Sequence, residues 1–202
     1  MENSGFTVYL FDVEIGTFEL KKQGVTCVVT NNKNFKAEGL TVYNDIIYVS
    51  EFDDKLITAA FEESVETSKP LFIRTPRTLF ELGRITELYK CTPLELLENI
   101  GVLDKKVYLV GCNHLDPIDL KLMSTYDVEV IIEPTSAVDG AEGFPELYAM
   151  LKRGILPSFS IIESIGKDMY LAKNVTGMLM ADKDAVSDEI ILKMARKKFI
   201  TQ

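Results

Sequence analysis

The sequence predicts an α/β fold, a small (β/α)8-like barrel, because strand-like and helix-like segments alternate along its 202 residues. Several of the strand-like runs are apolar at consecutive positions, which is typical of parallel strands covered on both faces. Segments 56–65 and 79–89 repeat apolar residues at helical period. The candidate strands are Thr7–Phe11, Val25–Thr30, Leu40–Tyr43, Ile46–Val49, Leu71–Thr75, Val107–Val110, Val128–Ile132 and Ile155–Ile162.

A chain of this length with eight candidate strands is at the lower size limit for a TIM barrel, so the barrel is expected to be small and could be incomplete. A doubly wound open sheet is the alternative. Helix starts are marked by capping residues in segments 92–95, 116–119 and 187–189. Since no repeat and no Pro/Gly/Ser-rich linker divides the chain, we expect residues 1–202 to form a single domain.

Composition excludes several classes of function. The formal net charge is −9 with no basic block, so nucleic acid is not an expected partner. No apolar run approaches the length of a membrane span, and the first residues do not resemble a signal peptide, so we expect no membrane association and a cytoplasmic protein. The cysteines Cys27, Cys91 and Cys112 show no Cys-x-x-Cys spacing and are expected to be reduced. The single histidine, His114, excludes a multi-histidine metal site.

The order of motifs along the chain resembles the amidohydrolase superfamily, in particular its deaminases and chlorohydrolases that act on nucleobases, triazines and related rings. The motif after the fifth strand, the helix and turn that follow, and the next two strands all have counterparts, as does a segment near the amino terminus. The resembling segments are Phe72–Leu82, Thr92–Leu97 with Gly101–Asp104, Val107–Leu115, Val130–Ser136, Leu147–Ile155 and Glu19–Thr26.

The resemblance implies a barrel whose metal, zinc or iron, lowers the pKa of a bound water at the carboxyl ends of the strands. The ligand of the family's fifth strand falls on Arg74, and its acid/base glutamate falls on Arg77. The histidines of the next two strands fall on Gly111 and Ile132, while His114 aligns with a histidine that is not a ligand. We therefore predict that this chain has no metal site of the family type and needs no cofactor.

Three further family features are also expected to be missing. Segment 7–12 has no His-x-His pair, and the region of the last aspartate ligand offers Glu163, one position from an ungapped alignment. The small β-sandwich that flanks the family's barrel has no evident counterpart, which predicts a bare barrel and leaves open a homodimer through exposed apolar surface.

Arg74 and Arg77 predict an anion site, because two guanidinium groups oppose a metal ion and favour a carboxylate or phosphate. Glu133 and Ser136 complete the predicted ligand-binding residues. In the alternative interpretation the arginines pair with local acids such as Glu81 or Glu133, and Ser136 serves only a turn.

Two weaker hypotheses for catalysis remain. Cys112 and His114 lie two residues apart and could form a thiol–imidazole pair, or His114 could instead hydrogen-bond near the cap of the following helix. Asp12, Glu133 and Glu163 could hold a hard cation such as Mg²⁺, although acids at strand ends are commonly structural.

The sequence thus predicts a degenerate amidohydrolase-like barrel, a pseudoenzyme that binds a small anionic ligand or a protein partner at the barrel mouth. The alternative is a hydrolase that acts on C–N bonds of a cyclic or amide substrate, using a carboxylate-held metal or Cys112.

Overall fold

The computed structural model describes residues 5–12, 15–103 and 107–199. All described strands pair in parallel, in the orders β1-β2-β3 and β4-β5-β6-β7-β8. The strands are β1 (Phe6–Leu10), β2 (Val25–Thr30), β3 (Thr41–Tyr43), β4 (Ile47–Val49), β5 (Leu71–Arg74), β6 (Val107–Val110), β7 (Glu129–Ile132) and β8 (Ser158–Phe159).

The two sheets join into a barrel-like ring. A parallel bridge between Tyr9 and Ser160 connects β1 to β8, and the Ile161 N–H donates to the Tyr9 carbonyl at 3.0 Å. On the other side, β3 pairs with β2 and β4 pairs with β5, with only residues 44–46 between them. The predicted parallel α/β, TIM-barrel-like fold is confirmed.

The ring nevertheless has seven strand positions among the described residues rather than eight. Two side-by-side parallel strands need a crossover of about a dozen residues or more, which the short segment 44–46 cannot supply. We therefore interpret β3 and β4 as successive halves of one extended strand, the first half paired with one neighbour and the second half with the other.

The helices cover the outside of the ring, and the predicted caps are present. Thr92 and Glu95 form a capping box, Asp116 and Asp119 form a second, and the Ser187 hydroxyl caps the last helix. The helices are α1 (Thr17–Lys22), α2 (Asp54–Thr67), α3 (Leu79–Tyr89), α4 (Pro93–Asn99), α5 (Pro117–Tyr126), α6 (Pro134–Asp139), α7 (Leu147–Lys152), α8 (Ile165–Leu179) and α9 (Asp188–Ala195). No helix among the described residues is long and apolar enough to cross a membrane.

Alternate residues of each strand enter two separate hydrophobic clusters. Outward-facing residues such as Val8, Ile73 and Leu109 pack with the helices. Inward-facing aromatic residues fill the ring, and the rings of Phe72 and Tyr108 stack with centroids 4.4 Å apart. Because both faces of these strands are buried, their sequences are continuous apolar runs.

Parallel pairing places all carboxyl ends of the strands at one rim, which we call the mouth, and all amino ends at the other, which we call the base. In barrels of this type the functional residues follow the carboxyl ends of the strands. A functional site is therefore expected at the mouth.

Candidate functional site

A buried ion pair lies at the mouth, between Arg74 at the end of β5 and Glu133 just after β7. The Arg74 guanidinium donates through Nη1 to Oε2 of Glu133 and through Nη2 to Oε1 at 3.1 Å. The two side chains are only 12% and 8% exposed. Burial alone would lower the pKa of Arg74, but the charge and hydrogen bonds of Glu133 raise it above its usual value. The alternative prediction that Arg74 pairs with Glu133 is thus confirmed.

Gly111 turns the chain beside this ion pair. It follows β6 with φ of +95°, a backbone region that favours glycine. A Cβ at this position would lie 3.4 Å from Thr75 Oγ1 and 3.9 Å from Glu133 Oε2. Because these distances are ordinary van der Waals contacts, the positive φ, rather than a lack of space, is what favours glycine here.

Tyr48 supports the guanidinium from β4, a contact that the sequence analysis missed. Arg74 Nε donates to Tyr48 Oη at 2.6 Å, and the Tyr48 ring stacks on Phe11 with centroids 4.7 Å apart. Burial raises the pKa of Tyr48 to about 12, an effect that the charge of Arg74 partly offsets. Tyr48 lies in a candidate strand and faces inward, and this position was the signal from which its contact with Arg74 could have been predicted.

A second group of polar residues, the rim cluster, consists of Arg77, Glu81, Ser136 and Glu142. Arg77 Nη1 lies 3.5 Å from Glu142 Oε1, and Nη2 lies 3.9 Å from Glu81 Oε1. The Ser136 hydroxyl donates to Glu142 Oε2 at 3.2 Å. The predicted Arg77–Glu81 pairing is confirmed, whereas Glu142, on the loop after α6, was missed because no periodic pattern marks it.

His114 holds the same loop through the backbone of Glu142. Its Nε2 lies 2.8 Å from the Glu142 carbonyl oxygen, which also accepts from Asn113 Nδ2 at 3.4 Å. The ring packs against Gly143, where an added Cβ would lie 2.4 Å from Cε1. The expectation that His114 hydrogen-bonds near the cap of the following helix is wrong, because its ring bonds the Glu142 carbonyl on the loop after α6.

Cys112 lies in the core and is not oriented for nucleophilic attack. The residue is completely buried, and its backbone N–H donates to Thr75 Oγ1 at 2.8 Å. Burial raises the pKa of the thiol to about 12. The thiolate is the reactive form, so this environment opposes catalysis by Cys112. The geometry also gives Cys112 and His114 different partners rather than a shared hydrogen bond.

We expect Cys112 to resist alkylation in the folded protein. Its thiol should react with iodoacetamide at pH 8 at least ~100-fold more slowly than the partly exposed Cys91, because it is both buried and protonated. Peptide mass spectrometry after timed quenching gives the rate at each cysteine, and urea-unfolded protein is the control in which the rates converge. Equal native rates would show an accessible, activated Cys112.

The three carboxylates considered for a hard cation are engaged separately. Asp12 Oδ1 accepts from Asn31 Nδ2 at 2.8 Å, Glu133 pairs with Arg74, and the Glu163 carboxylate lies 3.3 Å from Lys167 Nζ. Within residues 5–12, 15–103 and 107–199, no group of three or more His, Cys, Asp or Glu residues is arranged to hold a metal ion. The carboxylates therefore do not converge on one position.

The positions aligned with the family's metal ligands do not fit a metal ion either. Arg74 brings a guanidinium into the mouth, and Gly111 has no side chain to donate. Ile132 is fully buried in the outer hydrophobic cluster, away from the ring interior. A cation at this point would lie beside the positive charge of Arg74, which already occupies both oxygens of Glu133.

Comparison with known proteins agrees with the resemblance over part of the chain. A 5-methylthioadenosine/S-adenosylhomocysteine deaminase from Acetivibrio thermocellus is 28% identical over 163 residues, covering 77% of this chain and 38% of the relative. The corresponding deaminase from Thermococcus sibiricus is 31% identical over 101 residues, covering 50% of this chain and 24% of the relative. The chain thus matches well under half the length of these curated relatives. No family model matches.

Solved structures share the fold. An adenosine deaminase from Xanthomonas campestris with bound zinc superposes with a TM-score of 0.79 at 13% identity, covering 95% of this chain and 64% of that protein. A guanine deaminase from C. acetobutylicum with bound guanine gives a TM-score of 0.68 at 15% identity, covering 94% of this chain and 56% of that protein. The overlap extends along nearly the whole described chain.

Proposed function

We propose that this relative of the amidohydrolase superfamily, akin to deaminases and hydrolases that act on C–N bonds, binds a small anionic ligand at its barrel mouth and does not catalyse metal-dependent hydrolysis. One observation carries the proposal: each predicted site arginine already holds a carboxylate, Glu133 on Arg74 and Glu142 on Arg77. A mouth that binds carboxylates through guanidinium groups has the opposite chemistry to one that binds a metal cation.

The two arginines have different roles in this proposal. Arg74 is buried, and its bidentate pair with Glu133 leaves little charge for a ligand. Arg77 is 42% exposed, and its ion pairs are 3.5 and 3.9 Å long, a geometry that contributes little stability. A ligand carboxylate can therefore replace Glu142 on Arg77 and accept a hydrogen bond from Ser136.

Binding of succinate tests the anion site. We expect saturable binding by isothermal titration calorimetry in wild-type protein and an affinity at least about tenfold lower in Arg77→Gln, because a charge-assisted hydrogen bond is lost. Arg84→Gln is the matched control, since Arg84 is exposed on α3 with no ion pair among the described residues. Equal affinities for the two variants would overturn the role of Arg77.

Turnover measurements test the loss of hydrolysis. With 5-methylthioadenosine or S-adenosylhomocysteine, the substrates named for the relatives, we expect no ammonia release above background after incubation with zinc or iron. Metal-dependent ammonia release would contradict the proposal directly. It would also require donors other than the residues at positions 74, 111 and 132.

A further inference from the structure

A cavity of about 240 Å³ opens at the base of the barrel, at the opposite end from the mouth. It lies at the amino ends of β1, β2 and β3, where the last described residues of the chain approach the ring. The lining residues that could contact a ligand are Thr7, Thr26, Thr41, Arg196, Lys198 and Phe199. None of these residues belongs to the mouth.

The three basic residues of segment 196–198 have two different roles at this cavity. Lys197 is structural, because its Nζ pairs with the Glu129 carboxylate and donates to the Leu156 carbonyl at 2.7 Å. Arg196 and Lys198, the residues before and after Lys197, are exposed and line the cavity. The sequence alone shows three consecutive basic residues and does not separate these two roles.

Arg196 and Lys198 carry charges that no acid neutralises within the described residues. Arg196 contacts the Phe6 ring, with its guanidinium carbon 5.8 Å from the ring centroid, but this contact leaves its charge available. Lys198 has no ion pair with the described part of the chain, and the described lining of the cavity contains no carboxylate. In a protein of net charge −9, two unpaired cations on one small cavity are a distinctive feature.

The walls of the cavity add neutral polar groups and a closed floor. Hydroxyl groups come from Thr7, Thr26 and Thr41 on three neighbouring strands. The Thr26 hydroxyl already donates to the Phe6 carbonyl at 3.5 Å, and the Thr7 side chain hydrogen-bonds Cys27, which leaves the hydroxyl of Thr41 to donate to a ligand. Phe199 separates the cavity from the ring interior, since its ring packs on Tyr43 and Tyr108 with centroids 5.0 and 5.5 Å apart. An anion in the cavity would meet hydroxyl groups on the walls and cations at the edge.

We propose that this cavity is an anion site that binds a phosphate group, either free or on a compact phosphorylated molecule. The volume is below the ~300–1,000 Å³ of typical ligand pockets, which favours a compact oxyanion over a nucleotide. The planar guanidinium of Arg196 suits two phosphate oxygens, and the ammonium of Lys198 adds a point charge. The site is independent of the function proposed for the mouth.

Titration with inorganic phosphate tests the site. Isothermal titration calorimetry at constant ionic strength, balanced with chloride, should show saturable binding in wild-type protein. The double variant Arg196→Gln with Lys198→Gln should weaken the affinity by at least about tenfold, since both cations are lost. Circular dichroism confirms that each variant is folded, as expected for exposed side chains.

A matched variant separates site binding from general charge effects. Arg84→Gln with Lys121→Gln removes the same two charges from exposed positions on α3 and α5 and should leave the phosphate affinity unchanged. The proposal is overturned if wild-type protein shows no saturable phosphate binding, or if both double variants bind equally. It is also overturned if Arg77→Gln alone abolishes binding, because phosphate would then occupy the mouth.

Discussion

Replacing Glu133 with alanine is expected to destabilise the fold by about 3–5 kcal/mol, the usual effect of removing one partner from a buried ion pair. The substitution leaves the Arg74 guanidinium, 12% exposed, without its bidentate carboxylate and in contact with the neutral Tyr48 hydroxyl. Urea denaturation followed by circular dichroism at pH 7.5 measures the loss as a lower midpoint.

Two controls make this result specific to the buried pair. Glu189→Ala removes an exposed pair with Lys193, 2.8 Å long with side chains 62–77% exposed, and should leave the urea midpoint almost unchanged because solvent screens such a pair. Replacing both members, Arg74→Met with Glu133→Gln, should cost less than Glu133→Ala alone, because no buried charge remains. Equal losses for Glu133→Ala and Glu189→Ala would show that the pair does not hold the mouth together.

The contrast with a metal centre follows from the same residues. A metal site gains its strength from several donors around one cation, whereas here the guanidinium of Arg74 takes the central position and Glu133 and Tyr48 surround it. The resemblance to the amidohydrolases predicted which strand ends would meet at this point. The side chains at these strand ends, rather than the fold, determine what the mouth can bind.

Local signals in the sequence predicted local structure well. The capping boxes at Thr92 and Asp116 are present, because each depends on residues only three positions apart. The joining of β3 and β4 into one extended strand was not predicted, although segments 40–43 and 46–49 were both recognised. Strand propensity does not say on which side a strand pairs, and only the short spacer between the two segments carried that information.

The contacts of the mouth were predictable only where the topology constrained them. Arg74 ends β5 and Glu133 directly follows β7, and these strands lie on either side of β6, so parallel pairing brings the two residues together. Cys112 and His114 are close in sequence but have different hydrogen-bond partners, because positive φ angles at Gly111 and Cys112 turn the chain between the strand and the loop. Proximity in sequence was therefore a poorer guide than position at a strand end.

Behind the mouth, Asp168 accepts the Thr135 N–H at 2.9 Å and so links α8 to the start of α6, directly after Glu133. The residue is completely buried, and its Oδ2 has no hydrogen-bond partner among the described residues. Burial raises the pKa of this carboxyl to about 6, although the hydrogen bond from the Thr135 backbone N–H lowers it in part. A buried carboxylate is thus a local cost to the fold at neutral pH.

Asp168→Asn is therefore expected to stabilise the protein at pH 7.5, by up to about 3 kcal/mol, because the amide keeps the acceptor for Thr135 but carries no charge. The folded-state pKa of about 6 exceeds the unfolded value, so the folded protein binds the proton more tightly, and wild-type stability falls as the pH rises from about 4 to 6. Urea denaturation at pH 4 and pH 7.5 should show the advantage of the variant only at the higher pH. Asp184→Asn, at an exposed position, is the control and should show little change in the free energy of unfolding at either pH. A gain in stability for Asp168→Asn that does not depend on pH would mean that the Asp168 carboxyl has an ordinary pKa.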